Sequence, residues 1–299
     1  MKLQQFTDHC FAFTGAVNIG YCQKGGKGLL IDTGLDESSI KKVLKIVNQH
    51  SLPLDYCIIT HAHADHFGGA AYLKRERDII LYAPGLESSI MAHPVLEPIY
   101  LFNGANPIEE LRNKFLEGPS VEVDGEIMSG NNIIGPFNIH ALDLPGHSYA
   151  QKGLLIEEIL YAGDGYFGGE ALDKHVIPFI IDADQTISSL EKLLNIQCKG
   201  AIPGHGIFEE NFQDTIRQNH KVHTDRLSAL YELIEGKEHG VSLEKLTKEF
   251  LTLHNLDVKS LGQWLLFRTS VTAYLASLER KKRIKFIVRD NEPRVAAAD

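Results

Sequence analysis

The stretch YCIITHAHADHFGG at 56–69 decides the reading of this chain. Residues 56–60 are an apolar run that suits a buried strand. The run leads straight into His61, His63, Asp65 and His66, three imidazoles and a carboxylate within six residues. A loop after a strand can aim several such side chains into one pocket. Neutral imidazole and carboxylate suit zinc, with iron or manganese as alternatives. Upstream, the run GLLID at 28–32 reads as a second buried strand, ending in Asp32-Thr33-Gly34. Between the two, Ile40, Val43, Leu44 and Val47 repeat at helical spacing, with Lys41, Lys42 and Lys45 off that stripe. Ser38 or Ser39 is the expected cap. Strand, helix, strand and histidine cluster follow α/β logic.

Three later segments extend the pattern. LPGHS at 144–148 places His147 in a glycine turn after a strand, and IPGHG at 202–206 repeats the design with His205. YAGDG at 161–165 does the same with Asp164. Glycine lets the backbone turn sharply and approach closely. A lone histidine in such a turn is more often structural than a ligand. Four such segments in one chain are a different matter.

IDTG at 31–34, HAHADH at 61–66, PGHS at 145–148, AGDG at 162–165 and PGHG at 203–206 together resemble the five ordered motifs of the metallo-β-lactamase superfamily. The resemblance covers roughly residues 9–210. It implies an α/β fold, the αββα metallo-β-lactamase sandwich, and two divalent metal ions per chain. His61, His63 and His147 would hold one ion; Asp65, His66 and His205 would hold the second; Asp164 would bridge them. Asp32 would brace the histidine loop from behind. His147 with Asp164 resembles the glyoxalase II and ribonuclease branches, whereas antibiotic lactamases commonly carry cysteine where Asp164 stands. Many relatives read GHTPG; this chain has GHSYA at 146–150, so the local turn departs from the pattern. Tyr149 there is either a substrate contact or a packed ring.

Composition sets bounds on partners. The 299 residues are 43% hydrophobic and 23% charged, ordinary for a globular protein. No apolar run approaches the ~20 residues of a membrane helix, and the N-terminal stretch lacks a signal-peptide core. The cysteines, Cys10, Cys22, Cys57 and Cys198, form no CxxC pair and read as reduced thiols of a cytoplasmic protein. Net charge is −9, split as −13 over residues 1–236 and +4 over 237–299. The acidic body argues against broad nucleic-acid binding. The basic run at 280–289 leaves a local exception. Of the 14 histidines, those outside the motifs read as surface or packed residues, with His175 the one nearest the Asp164 loop.

Two domains are expected: a catalytic one over 1–212 and a smaller helical one over 213–299. Residues 219–226 and 271–284 resemble the winged-helix appendage of a lactamase-like branch. Trp264, Phe267 and Tyr274 fall at helical spacing and read as core. Residues 84–120 are irregular, a lid or a helical insertion. A strand is expected at 121–123, a helix at 186–194 capped by Asp184, and a disordered tail at 294–299.

Two ions sharing a hydroxide make a binuclear hydrolase, with Asp65 orienting the nucleophile as the catalytic carboxylate. The expected substrate is a small thioester or ester, as for a hydroxyacylglutathione hydrolase. The alternatives are a ribonuclease or phosphodiesterase and a non-catalytic metal-binding regulator.

Overall fold

The computed structural model describes residues 1–237 and 239–298. Seven strands form the first sheet in sequence order: β1 (Lys2–Gln5), β2 (Cys10–Thr14), β3 (Ile19–Lys24), β4 (Lys27–Ile31), β5 (Tyr56–Ile58), β6 (Ile80–Ala83) and β7 (Gly125–Glu126). The first four pair antiparallel through tight turns, and β4 to β7 run parallel. Parallel neighbours need crossovers, supplied by α1 (Glu37–Gln49), then the short α2 (Ala64–Phe67) with α3 (Ala70–Glu76), then α4 (Gly85–Ala92) and α5 (Leu96–Leu101). The amphipathic stripe of α1 is buried as expected, but Asp36, not a serine, caps the helix by accepting from the Ser39 backbone N–H. Losing that cap costs about 1 kcal/mol.

The second sheet has the order β12-β11-β10-β9-β8. It contains β8 (Gly130–Ile134), β9 (Phe137–Asp143), β10 (Lys152–Ile156), β11 (Ile159–Gly163) and β12 (Gly200–Pro203). Strand periodicity sorts the core into layers. Phe11, Phe13, Tyr21 and Leu30 face outward onto Ile40, Val43 and Leu73 of the helices. Their neighbours Cys10, Ala12, Cys22, Leu29 and Ile31 face Phe137, Ile139, Leu154, Ile156 and Tyr161 of the second sheet. That sheet turns Leu160 and Ala162 outward onto Leu190 and Leu193. The result is helix, sheet, sheet, helix: the αββα sandwich. The thiols of Cys10 and Cys22 lie 3.7 Å apart between the sheets, a pairing that residue spacing does not reveal.

Two helices lie between the second sheet's strands in sequence, α6 (Gly169–His175) and α7 (Ala183–Leu194). Asp182 caps α7, two residues before the expected Asp184. Asp184 instead pairs with Arg280 and Lys281. Residues 121–123 are not a strand; the pairing starts at β7, beside Tyr82 and Ala83.

The chain continues with α8 (Gln213–Ile234), β13 (Val241–Ser242), α9 (Leu243–Leu253), α10 (Leu261–Arg280), β14 (Ile284–Arg289) and β15 (Glu292–Ala297). Leu230, Ile234, Phe250, Val271, Tyr274, Leu278 and Val295 form one core with Ile177, Ile180 and Ala183 of the preceding segment. Trp264 and Phe267 pack against it, partly buried. The expected disordered tail is instead strand β15, paired along its length with β14. The hairpin turn leaves β15 beside β14, so ladder bonds and buried Val295 hold it. Asp299 lies outside the described residues. Residues 84–120 are also ordered, because Leu101, Leu111 and Leu116 pack on Leu265 of α10. No helix among the described residues is long and apolar enough to cross a membrane.

His223 of α8 is buried, hydrogen-bonded to the Tyr274 hydroxyl at 2.9 Å, and burial pushes it down to about 3. The unfolded chain protonates this histidine near 6.5 and the folded chain does not. Its contribution to stability is therefore full above about pH 6.5 and lost as pH falls towards 3. In chemical unfolding between pH 7 and pH 4, His223→Gln should show an acid slope shallower by up to about 1.4 kcal/mol per pH unit. An unchanged slope would show that the imidazole is not held neutral.

Candidate metal centre

Five segments that follow apolar strands end at the same edge of the two sheets. Asp32 follows β4, His61 follows β5, His147 follows β9, Asp164 follows β11 and His205 follows β12. Carboxyl ends of strands are where open α/β sheets present their sites. Asp32 has a left-handed backbone, φ 65°, which aspartate tolerates at a modest cost. This conformation lets its carboxylate accept from the Thr60 backbone N–H at 2.8 Å, the Thr60 hydroxyl at 2.9 Å and His66 Nδ1 at 2.8 Å. Gly146 at φ 127° has no room for a Cβ, which would meet Thr186 Oγ1 at 2.3 Å.

The seven residues expected as ligands converge. Donor atoms of His61, His63 and His147 lie within 4.8 Å of one another, as do those of His61, His66 and Asp164, and of Asp65, His66 and His205. His63 Nδ1 and His147 Nε2 are 2.8 Å apart. Asp164 stands in the middle, with oxygens 3.3 Å from His66 Nε2, 3.4 Å from His205 Nε2 and 3.5 Å from His147 Nε2.

The outward nitrogens explain why the inner ones are free. His61 Nδ1 reaches the Thr60 hydroxyl, His66 Nδ1 donates to Asp32, His147 Nδ1 to the Phe179 carbonyl and His205 Nδ1 to the Ala16 carbonyl. Each outward bond takes one ring nitrogen, so that a neutral ring turns its lone pair inward. His61 Nε2, His66 Nε2 and Asp164 Oδ1 are buried there with no hydrogen-bond partner. Buried lone pairs that converge without donors are costly; divalent cations satisfy them. Burial pushes His63 down to about 4 and His147 to about 3, so both stay neutral as ligands must. Burial also opposes charge on His205, but Asp164 and Asp65 outweigh it and raise this histidine to about 10. The site therefore attracts positive charge, and the donor set fits divalent metal ions.

Sequence reasoning missed several supporting residues. Glu87, on α4, accepts from the Ala62 backbone N–H at 2.9 Å. A single glutamate in a short helix carries no signal that separates it from a solvated one. Asn18 Nδ2 donates to the Pro203 and Gly206 carbonyls, which steadies the His205 turn. Phe179 packs against the His63 and His147 rings. The next residue, Ile180, donates its backbone N–H to Ser270 Oγ of α10. The C-terminal helices thus reach the site through this segment, and also through Asn219 of α8, which bonds the Phe167 backbone beside the His147 and His205 rings. His175 lies 6.2 Å from His205 between ring centroids and belongs to none of the converging groups. Tyr149 is more than half exposed. Among the described residues, the converging groups all lie at or before His205.

A cavity of about 420 Å³ opens beside Asp65 and His205. Val17, Ile19, Leu35 and Phe115 form its apolar wall, and Lys42 and Lys174 stand in its lining.

Residues 12–205 match the family model described as "Metallo-beta-lactamase superfamily". Among curated proteins, the chain is 24% identical over 242 residues to the lactamase-like protein aptB of Emericella nidulans, covering 80% of this chain and 66% of that one. It is 27% identical over 199 residues to the atrochrysone carboxyl ACP thioesterase of Aspergillus fumigatus, covering 65% and 52%. The match thus spans about two thirds and about half of these relatives' lengths. Among solved structures, a beta-lactamase domain protein from Burkholderia ambifaria matches at TM-score 0.77 and 16% identity, covering 99% of this chain and 93% of that one. A metallo-beta-lactamase family protein from Thermus thermophilus matches at TM-score 0.71 and 17% identity, covering 94% and 93%.

Proposed function

The chain belongs to the metallo-β-lactamase superfamily, and from that premise we propose that it is a metallohydrolase that acts on a small thioester or ester with two divalent ions. His61, His63 and His147 would hold one ion, Asp65, His66 and His205 the other, and Asp164 both. Nitrogen and oxygen donors of this kind favour zinc, and iron or manganese are compatible. Such ions supply Lewis acidity, which acidifies water and polarises a carbonyl.

The protein's own groups do the rest. Asp65 lines the cavity as a carboxylate, held low at about 2 because the neighbouring His66 and His205 outweigh the effect of burial. It can accept a hydrogen bond from the attacking water and orient it. The C–O bond forms, the C–S bond breaks, and a proton from water ends on the leaving sulfur. The apolar wall excludes bulk water from the acyl group.

The observation that carries this reading is the cavity: apolar on one side, with two lysines and open to Asp65 and His205. Extended RNA needs a basic, aromatic-lined groove. The basic run offers less than its composition suggests. Arg280 pairs with Asp182 and Asp184, Lys281 with Asp184, and Arg283 lies over the Tyr231 ring. The thioesterase name of one relative points the same way. We assign the chemistry to residues 1–212. Residues 213–299 are read as a winged-helix-like unit, supported by three helices followed by the β14–β15 hairpin, that shapes the pocket through the Phe179 segment.

The test measures hydrolysis of acyl thioesters and of single-stranded RNA at two salt concentrations. Thioester turnover that changes little with salt is expected. Fast, salt-sensitive RNA cleavage that His63→Ala abolishes, without thioester turnover, would overturn the reading.

A further inference from the structure

Two fully buried or nearly buried carboxylates brace the histidine loop, and only one of them also reaches the His147 turn. Asp32 holds Thr60 and His66. Glu87 is wholly inaccessible, and no lysine or arginine pairs with it among the described residues. Its Oε2 accepts from the Ala62 backbone N–H; its Oε1 accepts from the Ser148 hydroxyl and from the Ala150 backbone N–H at 2.8 Å. Ala62 sits between His61 and His63, and Ser148 follows His147. One carboxylate therefore ties together the two loops that carry three converging histidines. These loops lie more than eighty residues apart in sequence and come from different sheets.

The other converging group is held by different residues. His66 leans on Asp32, and the His205 turn is fixed by Asn18. Glu87 makes no hydrogen bond to Asp65, His66 or the His205 turn themselves. On the His147 turn, Ser148 supplies a hydroxyl donor and Ala150 a backbone N–H; both donate to Glu87. Carboxylate and turn are chemically matched.

We propose that Glu87 is a positioning residue that sets the metal affinity of the His61–His63–His147 group separately from that of the Asp65–His66–His205 group. The proposal rests on the two-ion reading above. Glu87 touches no donor nitrogen. It acts by fixing the separation of two loops whose nitrogens would share one ion. Losing a partner that orients ligands typically costs 10–100-fold in metal affinity.

The experiment starts from cobalt-loaded full-length protein and withdraws metal with a graded chelator series, reading the cobalt absorption and the metal content together. Wild type should release its ions in two steps. Glu87→Gln keeps the volume but turns one acceptor into a donor, against N–H and O–H groups that need acceptors. It should weaken one step 10–100-fold and leave the other within about twofold. Ser148→Ala removes one of the three donors and should shift the same step by less. Asn18→Ala should shift the other step. If Glu87→Gln misfolds, Ser148→Ala alone decides. Both steps weakened equally, or neither moved, would overturn the Glu87 assignment while leaving two ions in place. A single step in wild type would instead sink the two-ion reading and the proposal with it.

Discussion

Asp164→Ala should lose metal and turnover together. Asp164 is buried between the two converging groups, and its oxygens lie within 3.5 Å of ring nitrogens from His66, His147 and His205. Its own backbone N–H is held by Gln151 Oε1 at 3.1 Å, so the carboxylate has a fixed place. Alanine removes the one anionic group common to both halves and leaves Asp65 as the one carboxylate among the converging side chains. Metal content measured by mass spectrometry should fall from two ions per chain to one or fewer. The specificity constant kcat/KM should fall roughly 10³-fold or more, about 4 kcal/mol. Asp164→Asn, which keeps the volume, should fall nearly as far, because charge and lone pairs matter more than shape. A fully active Asp164→Ala protein that retains two ions would refute the shared-ligand assignment.

Gly204→Ala should do comparable damage without touching a ligand. A Cβ at Gly204 would stand 2.3 Å from Asp164 Oδ1 and 2.6 Å from His66 Cε1. The backbone cannot retreat easily. The Gly204 N–H donates to the Gly163 carbonyl at 2.7 Å, and its carbonyl accepts from the Asn18 N–H at 2.8 Å. The methyl group must therefore displace Asp164 and His66. We expect kcat/KM to fall at least about 10²-fold, near 3 kcal/mol, with weaker metal retention and preserved secondary structure by circular dichroism. Gly169→Ala is the control, since a Cβ there meets nothing within 4 Å. Unchanged metal retention and activity in Gly204→Ala would mean that the two side chains have slack, and the tight placement argued above would be wrong.

The α/β character was legible locally, from the apolar runs at 28–32 and 56–60 and the stripe of α1, and the sandwich followed from the resemblance carried by the five motifs. The converging residues were legible for a related reason. His61, His63, Asp65 and His66 sit within one turn after a strand, and His147, Asp164 and His205 each follow a strand with glycine beside them. Capping positions were harder. Asp36 and Asp182 compete with Ser38, Ser39 and Asp184 a few residues away, and all can accept a backbone hydrogen bond.

Other features have no local signature. Residues 84–120 show no clean periodicity because their apolar side chains pack on α10, some 150 residues later, and not on one flat sheet face. The β15 strand looks like a loose polar tail until β14 pairs with it. Glu87 reads as one more charged helix residue, yet it is buried because Ala62, Ser148 and Ala150 bring it three donors. By itself, then, the sequence determined the α/β order of elements and which side chains stand at the strand ends, since those follow from residue type and short local motifs. Only the tertiary structure decided what braces the site and what walls its cavity. Those depend on donors and apolar surfaces that meet from distant segments, and a residue cannot display in sequence which partner will satisfy it.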